Sequence, residues 1–383
     1  MIPYGRQLIE DDDIAAVTAA LTSDFLTQGP RIAAFERELA DYVGARHCVA
    51  VSSATAGLHI AVAALGIEPG SEAITSPNTF VATSNAALYC GLEPVFADID
   101  PHSYLITPET VREKVSARTR LIMPVHFAGH PCDMEGLAEL AQAHGARIIE
   151  DAAHAIGSSY EGGGRVGNGR LAAACVFSFH PVKTLTTGEG GAVTTNDDGI
   201  YEALLALRSH GITRDVARFV GGGEPGPWRY EMQTLGFNYR MTDVQAALGS
   251  SQLAKLERFA ARRRQIIARY HQGLSGISGL GLPPVCEHAC HHLFTVRIDF
   301  AALGLTRTGV MEALKARGVG TQVHYIPVHT QPYYTARGAV SLPQAESYYD
   351  QCLSLPLYPA MSDADVEQVM DAVREVLGHG RQH

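Results

Sequence analysis

The sequence predicts an α/β protein of two domains: a large one on a mostly parallel β-sheet with helices on both faces, and a smaller α+β one after it. Three observations predict this. From about residue 47 to 196, short and nearly continuous apolar runs alternate with stretches of helical periodicity, the pattern of parallel strands buried on both faces. Near residue 250 the composition changes, and a long helical stretch, basic in its second half, leads into new strand and helix patterns. The chain has 383 residues, 46% of them hydrophobic, enough for a large core and an appended domain. The expected division is 13–250 for the large domain and 251–383, with the N-terminal segment 1–12, for the small one.

The elements follow in order. "EDDDIAAVTAALTS" reads as a helix, with acidic residues in its first turn and apolar spacings of three and four. "SDFLTQGP" is a loop, and "RIAAFERELADYVG" is a second helix stopped by Gly44. Strands are expected in "HCVAVSS", "EAITSP", "EPVFADID", "RLIMPVHFAG", "ARIIEDAA", "ACVFSFH" and "GGAVTTN". Between them "SATAGLHIAVAAL", "FVATSNAALYCG" and "MEGLAELAQAHG" read as helices. "DVQAALGSSQLAKLERFAARRRQIIARYHQGL" reads as one long helical stretch. The small domain then has strand "HLFTVRIDF", helix "TRTGVMEALKARG", strand-like "VGTQVHYIPV" and helix "SDADVEQVMDAVREVLG", with Ser362 as its N-cap.

Charge and composition exclude some functions. A net charge of −10 and a pI near 5.9 argue against nucleic-acid or anionic-membrane surfaces. The sequence has neither a basic-plus-apolar leader pattern nor an apolar run of about 18 residues or more, so a cytoplasmic protein is expected. A disordered tail is expected only in the final "GHGRQH". The seven cysteines are scattered, mostly in apolar runs, and read as reduced core residues. "CEHACHH" gathers Cys286, His288, Cys290, His291 and His292 but fits no zinc template. No metal is expected there; these are read as strand-edge and pocket residues.

In such sheets ligands bind beyond the carboxyl ends of the strands, so the polar residues that follow each run are the candidates. Lys183, in "VFSFHPVKTLTTGEGG", leaves a core strand for a turn. An amine held partly out of water loses proton affinity and can condense with a carbonyl; the alternative is a solvated lysine pairing with Glu189. Asp151 follows the strand of Ile148 and Ile149. In a pocket it would need a cationic partner, such as the protonated ring nitrogen of pyridoxal 5′-phosphate; the alternative is a helix N-cap. Ser52, Ser53 and Thr55 sit at a strand-to-helix turn suited to an anion, where Gly57 allows close approach, and Ser178 is a second hydroxyl. Phe80 either stacks on a flat ring or joins the core. His154 either touches a ring substituent or packs.

Together "SDFLTQGP", "SSATAGLH", "NTFVATSNAALYCGLEPVFADID", "EDAAHAIGS", "FSFHPVKTLTTGEGGAVTTN", "RSHGI", "GFNYRMTDVQAALGSSQL" and "VHYIPVHTQPYY" resemble the DegT/DnrJ/EryC1/StrS sugar aminotransferases. The resemblance runs from about residue 1 to 375. It implies the aspartate-aminotransferase fold (fold type I) and pyridoxal 5′-phosphate as cofactor. Lys183 matches the family's Schiff-base lysine and Asp151 its partner for the pyridine nitrogen. Ser178 and the Ala54–Thr55 turn match its phosphate groups, Phe80 its ring-stacking position, and His154 the position near the cofactor's oxygen substituent. Asn238 matches an asparagine that reaches the neighbouring subunit's cofactor, which implies a homodimer with shared active sites.

The resemblance further implies L-glutamate as amino donor, a nucleotide-linked keto sugar as acceptor, and ping-pong kinetics. "SDFLTQGP" with "HYIPVHTQPYY" is most similar to the branch that makes UDP-4-amino-4,6-dideoxy-N-acetyl-β-L-altrosamine for pseudaminic acid. Alternatives are transaminases for other nucleotide-linked sugars, of the GDP-perosamine or dTDP-amino sugar type, and a cofactor-dependent sugar dehydratase or lyase. A cofactor-binding sensor is a further alternative, and no G-x-G-x-x-G supports a Rossmann dehydrogenase. Arg229 and Arg240 are candidates for the donor's carboxylates, and His324, Tyr325 and His329 for the sugar site.

Overall fold

The computed structural model describes residues 1–222, 224 and 226–378. The tail expected to be disordered, all but Gly378, lies outside them. The large sheet forms where the apolar runs place it. Its strands are β1 (His47–Val51), β2 (Glu72–Thr75), β3 (Glu93–Phe96), β4 (Thr119–Met123), β5 (Arg147–Asp151), β6 (Ala174–Ser178) and β7 (Gly191–Thr195). Their order is β1-β7-β6-β5-β4-β2-β3. β7 is antiparallel to both its neighbours and every other pair is parallel. Strands β2, β6 and β7 are buried along their whole length, because helices cover both faces.

The covering helices are α2 (Pro30–Val43), α3 (Ala54–Ala64), α4 (Ala82–Tyr89), α6 (Met134–His144) and α7 (Asp198–Arg208), while α1 (Asp11–Leu21) and α5 (Pro108–Arg112) pack on other helices. Their ends carry the expected chemistry. Ser53 caps α3, Asp133 caps α6, and the left-handed Gly44 and Gly145 end α2 and α6. Gly57 faces the sheet. A Cβ there would lie 2.9 Å from Val176 Cγ1 and 3.2 Å from Val193 Cγ2, so its missing side chain lets α3 lie directly on β6 and β7. The sequence reading gave this glycine to ligand approach; the structure gives it to helix–sheet packing. Gly57→Val should therefore lower stability by about 1–3 kcal/mol, read as a lower urea midpoint, with the reduced stability confined to no single loop.

A short two-stranded ribbon, β8 (Ile212–Thr213) with β9 (Glu231–Met232), precedes the C-terminal elements. These are α8 (Asp243–Leu253), α9 (Leu256–Leu274), β10 (Leu280–Gly281), β11 (Phe294–Ile298), α10 (Arg307–Ala316), α11 (Pro332–Thr335), α12 (Pro343–Gln351), β12 (Cys352–Leu355) and α13 (Asp363–Gly378). The stretch read as one helix is thus two. α8 packs on α1 and α2 while α9 packs on α13, and a straight helix cannot follow both. Lys255, at the junction, ion-pairs with Asp12 and Asp13 at 2.7 Å each.

"VGTQVHYIPV" is also corrected: it makes only isolated bridges, Val319 to Ile2 and Gln322 to Ser354. The third strand beside β10 and β11 is β12, which had given no alternating signal because all four residues are buried. The segment leaves the sheet to carry His324 and Tyr325, joined by a cis peptide, towards the large sheet. Ser362 caps α13 as expected, its Oγ accepting from Asp365 N–H at 3.1 Å. One buried apolar cluster gathers Ile2 with residues between Ile266 and Leu377. No helix among the described residues is long and apolar enough to cross a membrane.

Candidate active site

A cavity of about 430 Å³ opens where β1, β5 and β6 end, and each wall is built by local chemistry. β5 ends on Asp151. Its N–H donates to Pro124 O at 2.9 Å and its carbonyl accepts from His126 N–H at 3.0 Å, which fixes the strand end. The carboxylate then accepts from Thr83 Oγ1 at 2.6 Å and from Ala153 N–H at 3.0 Å. It is buried, it lines the cavity, and it has no cationic partner within ion-pair distance among the described residues. An ionised carboxylate in such a place calls for a cation.

β6 delivers Lys183. The loop after it is closed by Phe179 N–H to Gly190 O at 2.9 Å, Thr187 N–H to Phe179 O at 3.0 Å and Lys183 N–H to His180 O at 2.9 Å. The side chain is half-buried and lines the cavity with Asp151 and Glu189; the Glu189 ion pair weighed from sequence is not formed. Burial lowers its pKa to about 8, and the charge of Asp151 opposes that fall. Close to neutral pH a useful share of the amine is therefore unprotonated.

Ala54 and Thr55 line the cavity at the N-terminus of α3, where Ser53 Oγ accepts from Ala56 N–H at 3.1 Å. Free N–H groups and the helix dipole favour an anion there. The first residue of β7 passes under this turn. A Cβ on Gly191 would lie 2.7 Å from Ala54 N and 2.8 Å from Phe177 O, so only glycine lets the strand and the turn meet. Ser178 lines the same end of the cavity. Phe80 is 60% exposed at its mouth, which removes the core alternative.

The opposite wall comes from the C-terminal part. His154 Nδ1 accepts from Ala128 N–H at 3.3 Å, so Nε2 carries the proton and faces the Tyr325 hydroxyl at 3.1 Å. With both ring nitrogens taken, His154 meets a ligand through its face. The Tyr325 proton is left free to donate. His324 Nδ1 lies 2.8 Å from Ser354 Oγ. These two come from the irregular segment, and the rings of His324 and Tyr4 lie 5.4 Å apart.

Four predicted residues lie elsewhere. His329 is buried against Phe96 and bonds Glu346 at 3.0 Å, which makes it a packing residue. Arg229 pairs with Glu231 at 2.9 Å and covers the Phe219 ring. Arg240 bridges to Val51 and Asn238 to Ser209, and neither side chain lines this cavity. Sequence reasoning missed Tyr4 and Thr83 as lining or supporting residues. Thr83, one helical turn after Phe80, carried a positional signal; Tyr4 carried none. In "CEHACHH", His292 reaches the cavity, while His291 Nδ1 lies 3.2 Å from His130 Nε2.

Burial holds His130, His154, His291, His292 and His324 neutral. Burial pulls His130 down to about 4, and His291 and His324 to about 3, with neighbouring positive charges adding to it for the last two. His126 moves the other way: burial lowers it, but its bonds to Cys132 and Glu150 outweigh that and raise it to about 10. His130, His291 and His324 bind protons in the unfolded chain at 6.5 but not in the fold, so stability falls as pH drops from about 6.5 towards 4. Urea midpoints at pH 7.5, 6 and 5 should decline, and more gently in His291→Asn.

The Asp151 carboxylate without a cation, the half-buried amine and the helix N-terminus fit the ring nitrogen, aldehyde and phosphate of pyridoxal 5′-phosphate. The fold and this site define a pyridoxal-phosphate-dependent transferase. The chain belongs to the DegT/DnrJ/EryC1/StrS aminotransferase family, whose sequence model matches residues 7–374. It is 42% identical to the spore coat polysaccharide biosynthesis protein SpsC of Bacillus subtilis, over 98% of this chain and 97% of that one. Helicobacter pylori PseC, an aminotransferase involved in the biosynthesis of pseudoaminic acid, is 30% identical with a TM-score of 0.91 and 99% of each chain covered. Streptococcus pneumoniae Spr1654 in its PLP form is 28% identical with a TM-score of 0.89, again over 99% of each chain.

Proposed function

We propose that this protein moves an amino group from L-glutamate to the C4 keto group of a nucleotide-linked 4-keto-6-deoxy sugar, nearest in type to UDP-4-keto-6-deoxy-N-acetyl-L-altrosamine. The observation that carries the reading is the pairing, in one cavity, of a lysine whose pKa is lowered to about 8 with a buried carboxylate that lacks a cation. Similarity to PseC supports the sugar type. Bound pyridoxal phosphate supplies an electron sink and carries the amino group between the two substrates.

The chain's own residues divide the remaining work. Asp151 keeps a proton on the ring nitrogen. Lys183 moves a proton at the substrate carbon, taking it up as a free amine and returning it as an ammonium. Ser178 and the Ala54–Thr55 turn hold the phosphate, and Phe80 lies against the ring at the cavity mouth. Two copies share their sites, with Asn238 reaching the neighbour's phosphate. The division into 13–250 and 251–383 with 1–12, and a cytoplasmic setting, belong to the same reading.

Glutamate alone should convert the bound cofactor to its amine form, seen by absorbance, and release 2-oxoglutarate. A panel of UDP-, GDP- and dTDP-linked keto sugars should then show fastest recovery with the UDP-linked 4-keto-6-deoxy sugar. No conversion by glutamate would refute the donor. Preference for a GDP- or dTDP-sugar would refute the sugar assignment, and sugar dehydration without amino transfer would refute the reaction.

A further inference from the structure

His292 is a cavity residue that nothing in the site's expected machinery uses. It is 4% exposed and lines the same cavity as Lys183 and Asp151. Its backbone is held on both sides: the N–H donates to Ala128 O at 2.8 Å and the carbonyl accepts from Arg263 Nη1 at 3.2 Å. Its ring lies 4.5 Å from that of His154, tilted by 44°. Yet among the described residues neither ring nitrogen of His292 has a hydrogen-bond partner. Nδ1 is fully enclosed without one, whereas Nε2 is not enclosed and opens on the cavity. An enclosed acceptor left unpaired is cheaper than an enclosed N–H left unpaired, so the proton belongs on Nε2. The ring thus presents an unused N–H donor to the ligand space.

What it faces is set by charge. Arg263, directly behind, is 1% exposed and bonds only the carbonyls of His292 and Leu357, at 3.2 and 2.9 Å. It has no carboxylate partner among the described residues. Such a buried guanidinium favours an anion in front of it. Among the described residues no arginine lines the cavity, and Lys183 is its one lysine. The phosphate position at the start of α3 already accounts for one anion. On the reading that the donor is an amino dicarboxylate, its two carboxylates are further anions, and among the described lining residues no arginine or second lysine is there to receive them.

We propose that His292, backed by Arg263, receives a carboxylate of the amino donor through its Nε2–H. This rests on the function proposed above, and the test separates the two. The holoenzyme is titrated with glutarate, a dicarboxylate with no amine to transfer, following the cofactor's absorbance. Glutamate is then titrated in the single half-reaction. His292→Leu should weaken glutarate and glutamate binding about tenfold or more, with little change in the limiting rate of the half-reaction or in reaction with the keto sugar. His292→Gln, which keeps an N–H near the Nε2 position, should recover most of the loss, and His292→Asn, which moves it to the Nδ1 position, should not. The Gln and Asn pair decides the matter even if the Leu variant fails to fold.

No glutarate binding by the unaltered enzyme, equal binding by the unaltered enzyme and Leu, or a Gln variant no better than Asn would overturn the proposal. So would equal loss in both half-reactions, which marks a structural role. Glutarate binding that depends on His292, in an enzyme that glutamate does not convert, would sink the donor assignment and leave the carboxylate contact standing.

Discussion

Lys183→Ala should abolish borohydride trapping of the cofactor and lower turnover by at least about 10³-fold, since the same amine serves as covalent anchor and as proton carrier. Three closing hydrogen bonds around Phe179, Thr187 and Lys183 hold the loop, so the amine has little freedom to be replaced by a neighbour. Its pKa of about 8 reflects burial against the pull of Asp151. No other lysine or arginine among the described residues lines the cavity. Lys183→Arg should fail equally, because a guanidinium keeps its proton at any working pH. The check is reduction with borohydride, peptide mapping and a turnover assay on both variants. A reduced adduct mapped to a different residue, or Ala activity within tenfold of the parent, would remove Lys183 from both roles.

The sheet was legible because its seven strands are apolar enough to announce themselves and short enough to be bounded by glycine, proline and capping residues. The residues after those strands were legible for the same reason, since the architecture itself says that a ligand lies beyond strand ends. Legibility failed where a residue's position depends on a second segment. β12 is buried on both faces and so shows no alternation. The break at Lys255 is set by which helices α8 and α9 meet, and neither partner is adjacent in sequence. His324 and His329 lie five residues apart in one motif, yet one turns into the cavity and the other pairs with Glu346. Residue type alone could not separate them. His292 was visible as one of a group of metal-like side chains, but its use depends on the cation behind it, Arg263, which comes from α9.

Asp151→Asn should retain the cofactor and lose about 10²–10³-fold in turnover, the usual effect of removing one electrostatic partner from a buried reacting site. The substitution is nearly isosteric. An asparagine oxygen can still accept from Ala153 N–H, and Thr83 can turn its hydroxyl, already 2.9 Å from Thr79 Oγ1, to accept from the new amide. Packing and the strand end, fixed through Pro124 and His126, should therefore survive, and thermal stability should change little. What disappears is the negative charge that keeps the ring nitrogen protonated. The experiment also decides between the two roles open to this residue. If Asp151 only caps the turn into Ala152 and Ala153, asparagine serves as well as aspartate, and turnover stays near normal. If it is the counter-charge, cofactor absorbance persists while the glutamate half-reaction slows. Thr83→Val supplies the graded case: it leaves the charge but removes one of its two hydrogen bonds, so its loss should be only several-fold.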